Sequence, residues 1–441
     1  MKINWHHQDK DTIYLSQEAV SKFELKDNEE INFQFGAWKK IMLVQVDDDL
    51  NREVIRLPAG LFNKIDIPDE LPYDLIKQED RLMLGPVIAL IPFSNKSKLT
   101  PEQLSKYNKR LTEYRKIKGL IFICKTKSVN TENKTIEGFY FRPEGSEGGG
   151  EWVKGTFPYP NAVYNRRKSR KEVFKDLAEV IGRHAIFNDT FNKWEFWNIV
   201  SSHKDARRYI PQTKKMKTVE DMLSFLREYK TVYIKPESGS MGKGIIMIED
   251  KTPGFIVHDG KNAPAFFIDW KELDSFLSHY YRKKVIIQQG VAVKIDNQNI
   301  DFRVYMQKDG TKNWIPQGIV GRIAKKGSII TNLRHTVDAV AGKDALTGMY
   351  GYSEEEAETV ISNIYNTCIL ICRTFEEGGK HIGDVAIDLI VDRNGYVWVL
   401  EINKGYQYKV LDTEDLQYIL EKIMPTPLEY AKVIGGFEES Q

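Results

Sequence analysis

The stretch "VAIDLIVDRNGYVWVLEIN" at 385–403 decides the fold. Two runs of apolar and β-branched residues flank Asn394-Gly395, a dipeptide that favours a two-residue hairpin turn. With that turn Arg393 pairs with Tyr396, and counting back along both strands sets Asp388 opposite Glu401. One face, Ile387, Leu389 and Val391 with Trp398, Leu400 and Ile402, is then wholly apolar and is predicted core. The other face carries two facing carboxylates, which repel each other unless something compensates. Two solvated strand acids would look the same in isolation; a divalent cation is the sharper candidate. Asn403 follows Glu401 by two, so it shares the face and adds a neutral oxygen. Asp388, Glu401 and Asn403 together suit Mg²⁺, which keeps waters and takes phosphate oxygens as further ligands.

A phosphate partner is the natural complement, and "KPESGSMGKGI" at 235–245 offers one. Gly239 and Gly244 have the spacing of a P-loop, but Ile245 follows where lysine is required. The order G-x-x-G-x-G also departs from the dinucleotide fingerprint. The flanks "TVYIK" and "GIIMIED" read as strands, so the loop joins an antiparallel hairpin and can cover an anion as a flap. An ordinary flexible hairpin is the bland reading of the loop alone. Lys235, ending an apolar strand just before it, can set an ammonium beside a phosphate. Protein kinases also use a glycine flap, but their lysine follows it and they need H-R-D and D-F-G, which this chain lacks. Arg303 in "DFRVYMQ" and Arg322 in "WIPQGIVGRI" lie on strands between flap and carboxylates. Both can neutralise a transferring phosphate, although either alone is more often a surface ion-pair former.

The 441 residues suggest roughly three domains of about 150 each. With 41% hydrophobic residues and 11% aromatics the chain can build real cores, and a net charge of +2 gives no reason to expect a nucleic-acid or acidic-membrane partner. Residues 1–92 read as a β-rich domain ("TIYLS", "INFQFG", "KKIMLVQV", "EVIRLP", "LMLGPVIALIP"). Residues 93–190 read as a small α/β domain. There "TPEQLSKYNKRLTEYRKIKG" is predicted as one helix capped by Thr100 and ended by Gly119, and "GFYFRPEGSEGGGEWVKG" as a hairpin with a mobile tip. Residues 191–441 hold the loop, the arginines and the carboxylates. His6 and His7 are adjacent and face opposite sides of a strand, so they make no metal pair. Cys368 and Cys372, four apart in an apolar stretch, read as one helix face in a reduced core. No apolar run reaches the ~18 residues of a membrane span, and the first residues, "MKINWHHQDK", lack the apolar segment of a signal peptide. A cytoplasmic protein of α/β class (α+β in stricter usage) is expected.

Taken in order, "YIKP", "ESGSMGKGI", "IIQQGV", "DFRVYM", "GRI", "TNL", "AIDLIVD" and "VWVLEIN" resemble the ATP-grasp superfamily over about residues 191–432. Within it the chain is most similar to the endospore coat-associated YheC/YheD family. That resemblance extends upstream through "LMLGPVIALIP" and "FPYPNAVYNR". The resemblance implies a two-subdomain ATP-grasp fold with nucleotide between its halves. It implies that Lys235 holds the α/β-phosphates and that Lys193 also reaches the nucleotide. It makes 237–244, with Ser238, Gly239, Ser240, Met241, Gly242 and Gly244, the flap over the triphosphate. The segment from Gln288 to Val291 then reads adenine through its backbone, and Asp296 binds ribose. Asp388, Glu401 and Asn403 hold Mg²⁺, and Arg303, Arg322 and Asn332 line the phosphate and acceptor side. The implied activity is an ATP- and Mg²⁺-dependent ligase joining a carboxylate to an amine or thiol through an acylphosphate, with spore association. Two segments depart from the family pattern: "TNLRHTVDAV", with His335 and Thr336 where glycines are usual, and "EINKGYQYKV", where a proline-containing turn is common. Two alternatives stay open: a nucleotide-binding structural or regulatory protein with lapsed catalysis, and a small-molecule kinase.

Overall fold

A computed structural model of the chain describes all residues except 8–10, 63, 144–149, 168–170, 240–241, 260–262, 282–283, 297, 326–327, 329–335 and 439–441. The described residues form two compact units. One comprises Met1–Thr190, Lys308–Asn313 and Glu421–Gln441; the other comprises Phe191–Gln307 and Trp314–Leu420. The class is α/β, with four sheets among the described residues.

The first unit has two sheets. A seven-stranded sheet is built by strands from Lys2–His6 to Arg81–Gly85, and a six-stranded one by strands from Val87–Ile91 to Ile186–Phe187. "LMLGPVIALIP" is therefore not one strand but two, ending one sheet and starting the next across Pro86, which cannot donate to a ladder. The hairpin expected at 138–155 is present as Thr135–Pro143 paired with Gly150–Pro158; its tip lies outside the described residues. The helix expected over 100–119 is broken into Pro101–Ser105, a 3₁₀ turn Asn108–Leu111 and Tyr114–Ile117. The 3₁₀ turn brings Arg110 inward beside Leu111, where its Nη1 donates to the Met424 carbonyl at 3.0 Å. Thr100 does cap the first piece by accepting from the Gln103 N–H.

The second unit has two sheets, each with one face under helices and one face polar. In the first, the order is Thr213–Met216, Val285–Gln289, Thr231–Pro236, Ile246–Lys251, Gly254–His258 and Ala265–Phe267. Val232, Ile234, Ile248 and Ile287 point into a core closed by helices Val219–Tyr229 and Trp270–Tyr281. In the second, the order is Thr336–Ala341, Trp314–Ala324, Gln298–Lys308, Asp384–Val391 and Val397–Asn403. Phe302, Val304, Ile387 and Leu389 pack against helix Glu354–Glu377, whose Cys368 and Cys372 are buried and unbridged in that core. Strand alternation then sends Tyr233, Lys235 and Gln288 to the other face of one sheet. It sends Asp301, Arg303, Asp388 and Glu401 to the other face of the second.

Candidate nucleotide and metal site

The hairpin places Asp388 opposite Glu401, as counted from the sequence, but by a different route. The turn is not a two-residue one. The Asp392 carboxylate accepts from the N–H groups of Asn394 (2.9 Å) and Tyr396 (3.0 Å). The Asp392 N–H donates to the Tyr396 carbonyl, and the strands first pair at Val391 and Val397. That register alone would misalign the acids by one residue. A bulge between Leu389 and Asp388 restores it by giving the second strand one extra residue. The core face is therefore Val397, Val399 and Ile402, all buried, and not Trp398, Leu400 and Ile402. Leu400 is the extra residue and is half-buried.

The repulsion expected between the two acids is relieved by the protein's own cations. Arg303 grips Asp388 with a two-pronged contact, Nε to Oδ1 and Nη2 to Oδ2, both at 2.8 Å. Arg322 Nη2 reaches the same Oδ2 at 3.2 Å while its Nε and Nη2 hold Asp301 at 2.6 Å each. All four groups are buried. Burial pushes the Asp388 carboxyl up, but the Arg303 and Arg322 guanidiniums overcome this and hold it well below the usual carboxylate range. Asn403 Nδ2 bridges the pair, 3.2 Å from Asp388 Oδ2 and 3.0 Å from Glu401 Oε1.

Among the described residues no three His, Cys, Asp or Glu side chains cluster as a metal site. The set is instead two acids and an amide. It fits Mg²⁺, which is content with few protein ligands. Glu401 keeps about a third of its side chain exposed, and turning the Asn403 amide over brings an oxygen to the point where its Nδ2 now meets both carboxylates.

Lys235 and Lys193 bring the glycine loop into the same constellation. The loop joins antiparallel strands, with Ile234 opposite Ile246. Gly242 (φ +67°) and Gly244 (φ +74°) take left-handed conformations that other residues resist. Ser238 and Gly239 are exposed at its start; Ser240 and Met241 lie outside the described residues. Lys193 opens helix Lys193–Ser202 behind an Asn192–Glu195 capping box. Its Nζ donates to the Gly239 carbonyl at 3.0 Å and lies 3.8 Å from Glu401 Oε2. Lys235 Nζ donates to Gln288 Oε1 at 2.5 Å and sits 5.4 Å from the Tyr233 ring centre. Burial lowers the Lys235 ammonium to about 8, Glu401 opposing and Lys193 adding to the shift.

Not every expected residue joins this set. Val291 is half-buried just beyond strand Val285–Gln289, whose end is tied by Gln289 N–H to the Gln212 carbonyl and by Gly290 N–H to the Thr231 carbonyl. Asp296 is exposed, with φ +49°, at the tip of the hairpin pairing Lys294–Ile295 with the following strand. Among the described residues it makes no hydrogen bond or ion pair with the other candidates. Asn332 and His335 fall outside the described residues, and Thr336 begins the edge strand Thr336–Ala341. One residue of the constellation escapes a reading of the sequence: Asp301 is signalled only by its spacing of two from Arg303.

Comparison with known proteins identifies the family. A YheC/D-like ATP-grasp family model matches residues 183–434. Endospore coat-associated protein YheD of Bacillus subtilis (strain 168) is 26% identical over 411 residues, covering 87% of this chain and 86% of the relative. Endospore coat-associated protein YheC of the same organism is 21% identical, covering 57% and 72%. Among solved structures, the VanG D-Ala:D-Ser ligase from Enterococcus faecalis aligns at 11% identity with a TM-score of 0.47, covering 80% of this chain and 99% of that one. The ATP-grasp ligase PsnB with its minimal precursor aligns at 11% identity and a TM-score of 0.43, covering 79% and 99%. With more than half its length matched by the family model, the chain belongs to the YheC/D-like ATP-grasp family.

Proposed function

We propose that the chain is an ATP- and Mg²⁺-dependent ligase that joins a carboxylate to an amine or thiol through an acylphosphate. The observation that carries the reading is the position of Lys193. Its ammonium touches both the Gly239 carbonyl of the glycine loop and, at 3.8 Å, Glu401 of the acidic hairpin. Flap, lysines and acids thus meet at one place. Lys193 and Lys235 bind the phosphates, residues 237–244 cover them, the backbone from Gln288 to Val291 reads adenine, and Asp296 takes the ribose. Asp388, Glu401 and Asn403 hold Mg²⁺, which when bound neutralises phosphate charge.

The first step transfers the γ-phosphoryl group to a carboxylate oxygen and releases ADP. Arg303 and Arg322 face the charge that builds on the transferring group. In the second step the amine nitrogen attacks the acyl carbon and inorganic phosphate leaves with the former carboxylate oxygen. One proton passes to phosphate and one to solvent. Positioning and charge neutralisation carry the catalysis, so no covalent enzyme intermediate is needed. The acceptor is a small molecule or peptide. An ADP-release assay over carboxylate and amine pools tests this: release that requires both acceptors supports the ligase, and release with one alone that yields a stable phosphorylated product supports a kinase.

A second reading draws on the two relatives, both named as endospore coat-associated. It is a nucleotide-binding structural or regulatory protein, cytoplasmic and then spore-associated. Nucleotide binding without release under any acceptor favours it.

A further inference from the structure

Beside Lys235 a chain of hydrogen bonds runs in one forced direction. Thr213 and Gln288 are buried and lie directly opposite each other on adjacent strands, and Gln288 in turn faces Tyr233. The Pro211 carbonyl can only accept; it takes the Trp197 Nε1–H at 3.1 Å and the Thr213 hydroxyl at 3.0 Å. With its hydrogen committed, the Thr213 oxygen receives Gln288 Nε2 at 3.0 Å. The amide is then oriented: Nε2 faces Thr213, so Oε1 faces Lys235, whose Nζ donates to it at 2.5 Å. A backbone carbonyl thereby sets the polarity of the group that meets the lysine, three links away.

We infer that Thr213 and Gln288 are positioning residues for Lys235: they fix an acceptor against its ammonium and hold it charged and aimed on the phosphate-facing side of the sheet. The inference rests on the proposed nucleotide reading and gives the Gln288 side chain a task separate from its backbone. The reversed amide would set Nε2 against the ammonium, donor to donor. Burial already lowers the lysine to about 8, so a reversed amide would leave it partly discharged near neutral pH. Thr213→Val keeps the shape and removes the hydroxyl, freeing the amide to turn. Thr213→Ser keeps the relay. Gln288→Glu offers an oxygen to Lys235 whichever way it lies.

The test uses the full chain with ¹³C-dimethylated lysines, the Lys235 signal being assigned by its loss in Lys235→Arg. Its titration midpoint is measured alongside calorimetric affinity for AMP-PNP and for adenosine. Thr213→Val is expected to lower the midpoint by about one pH unit and weaken AMP-PNP about tenfold, the size of one lost charged hydrogen bond, while adenosine stays within about twofold. Thr213→Ser restores both quantities, and Gln288→Glu raises the midpoint. An unchanged midpoint in both Thr213→Val and Gln288→Glu overturns the inference. So does an adenosine loss equal to that of AMP-PNP, which would make Gln288 a base-binding residue. If the wild type binds neither ligand, the nucleotide reading fails, and the midpoints alone decide the relay.

Discussion

The two polar sheet faces of the second unit balance charge differently. On the strand pair carrying Arg303 and Asp388, two arginines meet Asp301 and Asp388 in paired, buried contacts, and the charges cancel. On the glycine-loop side, Lys193 and Lys235 share Glu401, and Lys235 is otherwise held by a neutral amide. Cations there exceed anions by one. A balanced network is a rigid platform; an unbalanced pair of lysines beside a glycine loop is a place for an anion. On the proposed reading, phosphate binding falls to the lysines and the arginine network holds geometry until charge is transferred.

The largest way to break this contrast is to unbalance the platform. Arg322→Met leaves Asp301 and Asp388 underpaid in charge, and is expected to destabilise the fold by about 3–5 kcal/mol in urea unfolding. Adding Asp301→Asn to it should recover part of the loss. Lys235→Met is expected to do the reverse. It weakens ATP-analogue binding by about 2–3 kcal/mol, the range of charge-assisted contacts to phosphate, yet raises stability at neutral pH because a half-buried, partly desolvated ammonium is removed. The sign follows from the lowered pKa. The desolvation penalty of Lys235 is full below about pH 8 and is relieved as pH rises from there toward the ordinary lysine value. The stability gap between wild type and Lys235→Met should therefore shrink across that window in parallel melts.

The same lysine sharpens the contrast without a mutation. Phosphate favours its charged form, so analogue affinity should fall as pH rises through about 8. Binding at pH 8 should take up protons, seen as heats that change with buffer ionisation enthalpy. The smallest effect is expected in the hairpin turn. Asp392→Ala removes two carboxylate-to-backbone bonds and should lower stability by about 1–2 kcal/mol. Mg²⁺-dependent binding is expected to survive in that variant, because the strand pairing and bulge beyond the turn still hold Asp388 against Glu401.

How much of this was legible in the sequence varies with the physics involved. The flap hairpin could be read because period-two strands flank glycines that need positive φ. The facing of Asp388 and Glu401 is legible although the turn is not: a two-residue turn and an unbulged strand are each off by one residue, and the errors cancel. The apolar face exposes this, since Trp398 and Leu400 were assigned to a core that Val397 and Val399 occupy. A bulge leaves no mark in a run as uniform as "YVWVL". The arginine compensation was missed because pairing across strands depends on register, which Arg303 and Arg322 do not declare. Helix Val219–Tyr229 did carry a signal, the Thr218–Asp221 capping box, in a segment whose apolar period was obscured by its charges.

On the proposed reading, lysines and acidic hairpin form one Mg²⁺–nucleotide site. The most direct test is calorimetry of AMP-PNP binding with and without Mg²⁺, on wild type and on Glu401→Ala with Asn403→Ala. Binding that depends on Mg²⁺ in the wild type and is lost in the double variant is the expected result. Binding indifferent to Mg²⁺ and to both substitutions, or no binding by the wild type, would contradict the claim.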